Sequence, residues 1–338
     1  MSLMPRRTLQ APLPSRINCV AWSPDGCKIA SGSDLSINIW DGSTFALIAT
    51  SRGERRTLSV AFTPDSNQLV SGGGRIQLWD VQGMSHLRNY EGHDGIVYEV
   101  AVSPDGSILA SGSEDGTIFL WRLDTAECIQ VLGGHASGVR AVAFSFDGRR
   151  LASGSVDNTI AIWDLQSYSC IKTLTNHSRC VTSLSYSADG CMLASGSVDD
   201  TICIYNATTY ARLRTIRGDY DWVLSVRFTP DSRTLLYGCG NSLIYAHGEF
   251  QVWEGHTDGV TSVAVSPDGA CIVSGSNDQT VRIWSLPPAT GIVSDVSELS
   301  YHLFILYLAP PAAPGLPSGM NLMPELFTNV QILITSQL

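Results

Sequence analysis

Charge is scarce in this chain. Of its 338 residues only 15% are Asp, Glu, Lys or Arg, against the ~25% usual in soluble domains, while 44% are apolar. Burial of that much apolar surface can offset the entropy of ordering, so intrinsic disorder is excluded. Positive charge is the scarcer sign: 21 Lys and Arg stand against 31 Asp and Glu, for a net charge of −10. Non-specific phosphate contacts need a cationic face, so no direct nucleic-acid partner is expected. Long hydrophobic runs are missing too. The most apolar stretch, Leu303 to Ala309, falls well short of the ~20 residues that cross a bilayer. Arg6 and Arg7 are followed by no apolar run of the secretory kind, and no membrane association is expected.

The chain also lacks the small motifs that carry enzyme chemistry. Its nine cysteines are odd in number and include no Cys-x-x-Cys pair, which points to a reducing, intracellular location, cytoplasmic or nuclear. Gly72-Gly-Gly74 is followed by Arg75 to Trp79, a strand pattern and not a helix whose N-terminus could hold phosphate. No Gly-x-x-x-x-Gly-Lys motif and no histidine pair with zinc spacing occurs. No cofactor, metal or catalytic function is expected.

A repeat is present instead. The tetrapeptide Ser/Thr-x-Asp-Gly/Ser starts at Ser23, Thr63, Ser103, Ser145, Ser187, Thr229 and Ser266, at steps of 40, 40, 42, 42, 42 and 37 residues. Each copy lies between two strands with period-2 apolar alternation, and a third strand follows that ends in an aromatic residue. A unit of a few short strands cannot bury both faces alone. Radial stacking of such units into a closed ring can. The register also disposes of the cysteines: Cys27 and Cys191 hold one repeat position, Cys128 and Cys170 another. Equivalent positions point different ways around a ring and cannot converge on one ion, so a packing role is expected for them.

These repeats resemble the WD-repeat β-propeller family. Gly-His stands at Gly92-His93, Gly134-His135 and Gly255-His256, with Asn176-His177 as a near match; Trp-Asp stands at Trp40-Asp41, Trp79-Asp80 and Trp163-Asp164. The resemblance covers roughly residues 5 to 286 and implies an all-β, seven-bladed propeller of four-stranded antiparallel blades over 1–286. It further implies a buried network in each regular blade: His93, Ser111, Asp115 and Trp121 in blade three; His135, Ser153, Asp157 and Trp163 in blade four; His256, Ser274, Asp278 and Trp284 in blade seven. Blade five keeps His177, Ser195 and Asp199 but ends in Tyr205. Several copies of a Ser-His-Asp set at a structural period mark scaffolding, since a hydrolase needs one activated nucleophile.

Three blades depart from the pattern. Blade one keeps Ser31, Asp34 and Trp40 but has Leu13 in the His position. Blade two has Gly53 there and no turn Asp, and blade six has Asp219 after Gly218, no turn Asp and fewer residues between Tyr245 and Trp253. Blade seven needs an outer strand from elsewhere. Arg6 to Ala11 and Gly291 to Val296 both fall in register, and the N-terminal segment is expected, as it joins the chain ends in the way the family commonly does. Residues 287–338 form a tail with three charges from Ser285 on (Asp295, Glu298, Glu325) and seven of the 15 prolines. Its apolar patches suit a docking arm, a segment packed on the ring, or sequence without a stable fold.

The function so implied is that of a non-catalytic scaffold or adaptor, a monomeric ring within a larger complex. The family's usual docking positions lie three and five residues after the blade His. Here they hold Arg16 and Asn18, Arg56 and Leu58, Ile96 and Tyr98, Gly138 and Arg140, Cys180 and Thr182, Trp222 and Leu224, and Gly259 and Thr261. Arg, Tyr and Trp dominate binding energetics. With Arg16, Arg56, Tyr98 and Arg140 set around a half-ring of an acidic protein, an acidic or phosphorylated peptide is the expected partner. A substrate-recognition subunit of a ubiquitin ligase is the alternative, although Ser43, Gln82 and Gln166 stand where such receptors commonly carry Arg. A sensor module of a signalling complex is another, but no nucleotide-binding domain accompanies the repeats.

Overall fold

The computed structural model describes residues 2–52, 56–217, 221–247 and 251–287. The Gly53 and Gly218-Asp219 positions, the Gly291 to Val296 strand and the tail beyond Pro287 lie outside the described residues. Among those described there are only strands and turns, and no helix long and apolar enough to cross a membrane.

Each recurring turn is built by its own side chains. In blade three the Ser103 hydroxyl donates to Asp105 (2.6 Å) and accepts the Ile108 amide (2.9 Å), while Asp105 also accepts the Ser107 amide (3.0 Å). The fourth residue must then turn left-handed, and Gly106 does so at φ 74°. Blades two and six have serine there, Ser66 at φ 62° and Ser232 at φ 61°, a conformation costing an L-residue roughly 1–2 kcal/mol. Both serines gain a compensating bond: their hydroxyls accept the amides of Asp25 and Asp189 in the preceding blades (3.1 and 3.0 Å).

The strands between these turns form seven antiparallel sheets around one axis. Their inner strands are Ile17–Trp22, Thr57–Phe62, Val97–Val102, Val139–Phe144, Val181–Tyr186, Val223–Phe228 and Val260–Val265. Seven apolar clusters hold the ring, each drawn from two consecutive blades, and the last joins Val273, Val281 and Ile283 of blade seven to Ile17, Ile29 and Trp40 of blade one. This close stacking depends on the Ser-Gly-Ser second strands. A Cβ on Gly154 would stand 2.6 Å from Val181 Cγ1 of the next blade, and one on Gly196 2.7 Å from Val223 Cγ1.

Blade seven takes its outer strand from the N-terminus: Arg7–Gln10 pairs antiparallel with Thr280–Ser285, within the segment expected from sequence. One pairing had no sequence signal. Ser2–Leu3 adds a parallel fifth strand to blade six, beside Gln251–Trp253. Blade six is otherwise re-registered. Pairing of Leu235–Cys239 with Ile244–His247 puts Tyr237 in the place of the strand serine and His247 in that of the strand-end Trp. Trp253 lies on the fourth strand and donates to the Ser285 carbonyl (3.2 Å).

Two expectations need correction. Asp34 does not hold the turn-Asp position of blade one, because Ser31 and Trp40 are nine residues apart where Ser111 and Trp121 are ten. The shorter hairpin puts Asp34 one residue after Ser33, the position of Glu114 in blade three, and it turns to Asn18 and Arg56 instead. The cysteines are not uniformly packing residues either. Cys19, Cys203 and Cys239 are buried, but Cys27, Cys128, Cys170 and Cys191 are exposed, and all nine are free thiols.

Candidate functional site

The three regular His blades share one chain of hydrogen bonds. In blade four the Trp163 indole N–H donates to Ser153 Oγ (2.8 Å), which bonds His135 Nε2 (2.8 Å), and His135 Nδ1 bonds Asp157 (2.9 Å). Blades three and seven repeat it through Trp121, Ser111, His93 and Asp115 and through Trp284, Ser274, His256 and Asp278, with every distance between 2.7 and 2.9 Å. The Asp also accepts backbone amides, from Ala136 and Thr159 in blade four. Burial opposes ionisation of Asp157, yet these bonds carry its pKa down to about 2; Asp115, Asp199 and Asp278 are lowered in the same way. Burial holds His256 below the usual imidazole range.

In blade five His177 bonds Ser195 (2.7 Å) and Asp199 (3.1 Å), but the buried Tyr205 hydroxyl, beside Ser195 and Cys203, makes no hydrogen bond of normal geometry. Blades one and two lack the His and keep the indole bond alone, Trp40 to Ser31 (3.0 Å) and Trp79 to Ser71 (2.9 Å). The serines of the His blades are 0% exposed. In blades three, four and seven the lone pair that a nucleophile would use is also occupied by the indole N–H, so these hydroxyls hold the blades together.

The positions three and five residues after the blade His lie together on one face, beside the turns between second and third strands. The carbonyls of Ile96, Gly138, Cys180, Trp222 and Gly259 accept amides from those turns, at 2.9 to 3.0 Å. The structure divides these positions by what their side chains do. Asn18 donates to the Thr57 carbonyl (3.0 Å), Thr182 to that of Val223 (2.5 Å) and Thr261 to that of Ile17 (2.6 Å), so each ties its blade to the next. Arg56 is exposed but pairs with Asp34 (2.8 Å), which lowers its free charge. Arg140 is exposed and lies over the Tyr98 ring, 4.4 Å from its centroid. Trp222 is 53% exposed and Ile96 42%; Arg16 is exposed, and Leu58 and Leu224 are half-buried.

Sequence reasoning missed the axis of the ring. The third residue of most inner strands accepts an amide of the next blade: Val100 N–H to Ser59, Val226 to Ser183, Val263 to Ser225 and Val20 to Ser262, at 3.1 to 3.2 Å. In blade three that residue is Glu99, which accepts the Val142 amide (2.9 Å) and extends its other oxygen to Arg227 of blade six (3.7 Å). Burial pushes the Glu99 carboxyl up to about 7, against the pull of Arg227. Arg227 also donates to the carbonyls of Leu184 and Val226 (both 3.1 Å). Beside it opens a cavity of 470 Å³ to which all seven inner strands contribute. A charged residue at a channel position that is Ala or Ser in the other repeats was the available signal. Among the described residues no group of three or more His, Cys, Asp or Glu is placed to hold a metal.

Comparison with known proteins agrees with this geometry. The chain matches the WD domain, G-beta repeat family over residues 4–41, 47–80, 84–122, 126–164, 168–206 and 249–285, well over half its length. The gap between the fifth and sixth matches falls on the re-registered blade six. Among curated proteins it is similar to human WD repeat-containing protein 3 (30% identical over 106 residues, 31% of this chain and 11% of that protein). It is similar also to nuclear distribution protein nudF of Aspergillus flavus (36% over 107 residues, 30% of this chain and 24% of that protein). A third relative is the serine-threonine kinase receptor-associated protein of Gallus gallus (28% over 146 residues, 31% and 42%). The alignments thus span well under half of each relative's length. Proteins with such propellers generally mediate protein–protein contacts without catalysis, and by its repeats, its seven sheets and its matched segments this chain belongs to the WD40 repeat family.

Proposed function

We propose that this protein is a non-catalytic, intracellular scaffold that docks an acidic or phosphorylated peptide on the face bearing Tyr98 and Arg140. One observation carries the reading: the exposed Arg140 guanidinium stacks on Tyr98 and has no carboxylate partner among the described residues. Stacking restricts an otherwise mobile side chain, so less entropy is lost when a carboxylate or phosphate binds its fork. Exposed Ile96 beside Tyr98, and Trp222 in blade six, add apolar contact area. An intracellular setting suits nine free thiols, four of them exposed.

Arg56 enters this reading differently from its sequence-level role. Arg56→Glu would set a carboxylate against Asp34, so a loss of binding there would mix repulsion within the protein with loss of a contact. Arg140 gives the cleaner test. With fluorescein-labelled Glu-rich and phosphoserine peptides, Arg140→Glu should weaken capture at least tenfold, about 1.4 kcal/mol, with the melting temperature unchanged. Tyr98→Ala should weaken it less. Equal binding by wild type and Arg140→Glu, at low and at physiological salt, would place docking elsewhere.

A further inference from the structure

The repeats provide an internal reference for the ring axis. At the fifth position of the inner strands the chain has Ala21, Ala61, Ala101, Ala143, Ser185 and Ala264 in six blades, and Arg227 in blade six alone. The side chain thus introduced meets the one carboxylate among the third-position residues, Glu99. Together they form a bar across the channel. Glu99 is fixed to blade four by the Val142 amide and Arg227 to blade five by the Leu184 carbonyl. The cavity of 470 Å³ opens beside the bar on the face of the Ser-x-Asp-Gly turns, opposite Tyr98 and Arg140, and Pro104, Phe146 and Pro230 of those turns border it. Its volume is within the ~300–1,000 Å³ range of sites that bury most of a small ligand.

The lining mixes aromatic and hydroxyl groups with a single charge. Trp22, Phe144, Phe146, Tyr186 and Phe228 stand beside Ser145, Ser187 and Thr229, and Arg227 is the one charged residue among those that line it. Phe146 is a further departure from the repeat: blades one, two, three, six and seven have proline there and blade five Ala188, and the phenyl ring is 64% exposed. We propose that this cavity receives the C-terminal residues of a partner polypeptide, an apolar terminal side chain against the aromatic wall and the terminal carboxylate on Arg227. Charge complementarity favours an anion on the occupant, the aromatic rings favour an apolar side chain beside it, and the hydroxyls of Ser145, Ser187 and Thr229 suit the polar backbone of a peptide. The bar requires that whatever enters ends there, as a chain terminus does and a continuous strand does not. Arg227 is 35% exposed while Glu99 behind it is 17% exposed, so the guanidinium is the group that meets the ligand. Its Nη1 is held by two carbonyls, which presents the rest of the fork for a charge-assisted pair. Glu99, with its carboxyl raised to about 7, neutralises it only in part.

The test uses the full chain and a fluorescein-labelled peptide ending Leu-Phe-Leu, as the free acid and as the C-terminal amide. The free acid should bind at least tenfold more tightly. Arg227→Ala should reduce its binding to the level of the amide, and Arg227→Lys should restore part of it. Should Arg227→Ala lower the melting temperature by removing the bar, Phe146→Ser remains, on an exposed turn, and should weaken the free acid severalfold. Arg140→Glu should leave this binding unchanged, so the proposal stands or falls apart from the peptide-docking face. Equal binding of acid and amide would overturn it. So would Arg227-dependent capture of octanoate without capture of the peptide, which would make the occupant a free amphiphile.

Discussion

Asp157 shows at the scale of one residue why the propeller tolerates buried polar groups. Its two oxygens accept His135, Thr159 and the Ala136 amide, and its side chain is only 13% exposed. Removing it leaves the buried His135 Nδ1 with only the longer Thr159 hydroxyl contact (3.3 Å) and the Ala136 amide without its acceptor, so Asp157→Ala should cost ~1–3 kcal/mol, read from urea unfolding. The same residue fixes a pH dependence. A carboxylate lowered from ~3.9 in the unfolded chain to about 2 in the fold contributes stability that is complete above the unfolded value. That contribution disappears as pH falls through 4 toward 2. Melting temperatures measured between pH 2 and 6 should therefore drop toward acid in wild type and drop less in Asp157→Asn. Identical profiles would mean that the bonds to Asp157 do not differ between folded and unfolded chains.

A blade is held to its neighbour at the scale of the strand, and glycine is where this can be measured. Gly154 lies in Arg150–Ser155 with Val181 of blade five against it, so a methyl group must displace backbone or a β-branched side chain. Gly154→Ala should destabilise by ~1–3 kcal/mol, the usual range for overpacking. Gly133 is the internal control. It ends the outer strand Cys128–Gly133, and nothing lies within 4 Å of its would-be Cβ. Gly133→Ala should be neutral or stabilising by ~0.4–1 kcal/mol through the unfolded chain. Similar losses in both variants would show that strand propensity, and not inter-blade contact, sets the cost. Blade six keeps this contact, Gly238 standing against Val260 of blade seven, but not the polar network of the regular blades. Tyr237 and Tyr245 stack at 5.1 Å where other blades place a small serine and its partner, and half-buried His247, in the Trp position, has its pKa lowered to about 4 by desolvation and by Arg214.

The whole ring depends on one contact between distant parts of the chain. Arg7–Gln10 completes blade seven, Leu9 and Ala11 are buried in the cluster between blades seven and one, and Arg7 reaches the Thr44 carbonyl (2.9 Å). The closing strand thus belongs to both ends of the sequence, and unzipping it opens an edge in a structure otherwise without a seam. Deleting residues 1–11 should lower the melting temperature by at least ~5 °C, a loss of ~3 kcal/mol for a domain of this size, and by more than truncation after Pro287. The reverse order would assign closure to residues beyond 287.

The architecture was legible because the chain states it seven times. A turn at 37- to 42-residue steps, with Trp, Ser, His and Asp at constant offsets in blades three, four and seven, points to a ring of like blades, and the one missing outer strand left two segments in register, of which the N-terminal one was expected. Local chemistry determines such features: hydroxyl–carboxylate turns, period-2 burial and a left-handed glycine act within a few residues of one another. What the tertiary structure decided are the encounters between blades. Asp34 looked like a network residue until a hairpin one residue shorter turned it to Arg56, which in turn removed free charge from the expected binding face. Asn18, Thr182 and Thr261 looked like ligand contacts and became ties between blades, since the carbonyls they bond to belong to other repeats. Glu99 and Arg227 are 128 residues apart, and nothing near either in the chain announces the other. Only closure of the ring brings blades three and six to opposite sides of the axis, where the largely buried Glu99 carboxylate gains a partner in the half-exposed Arg227 guanidinium.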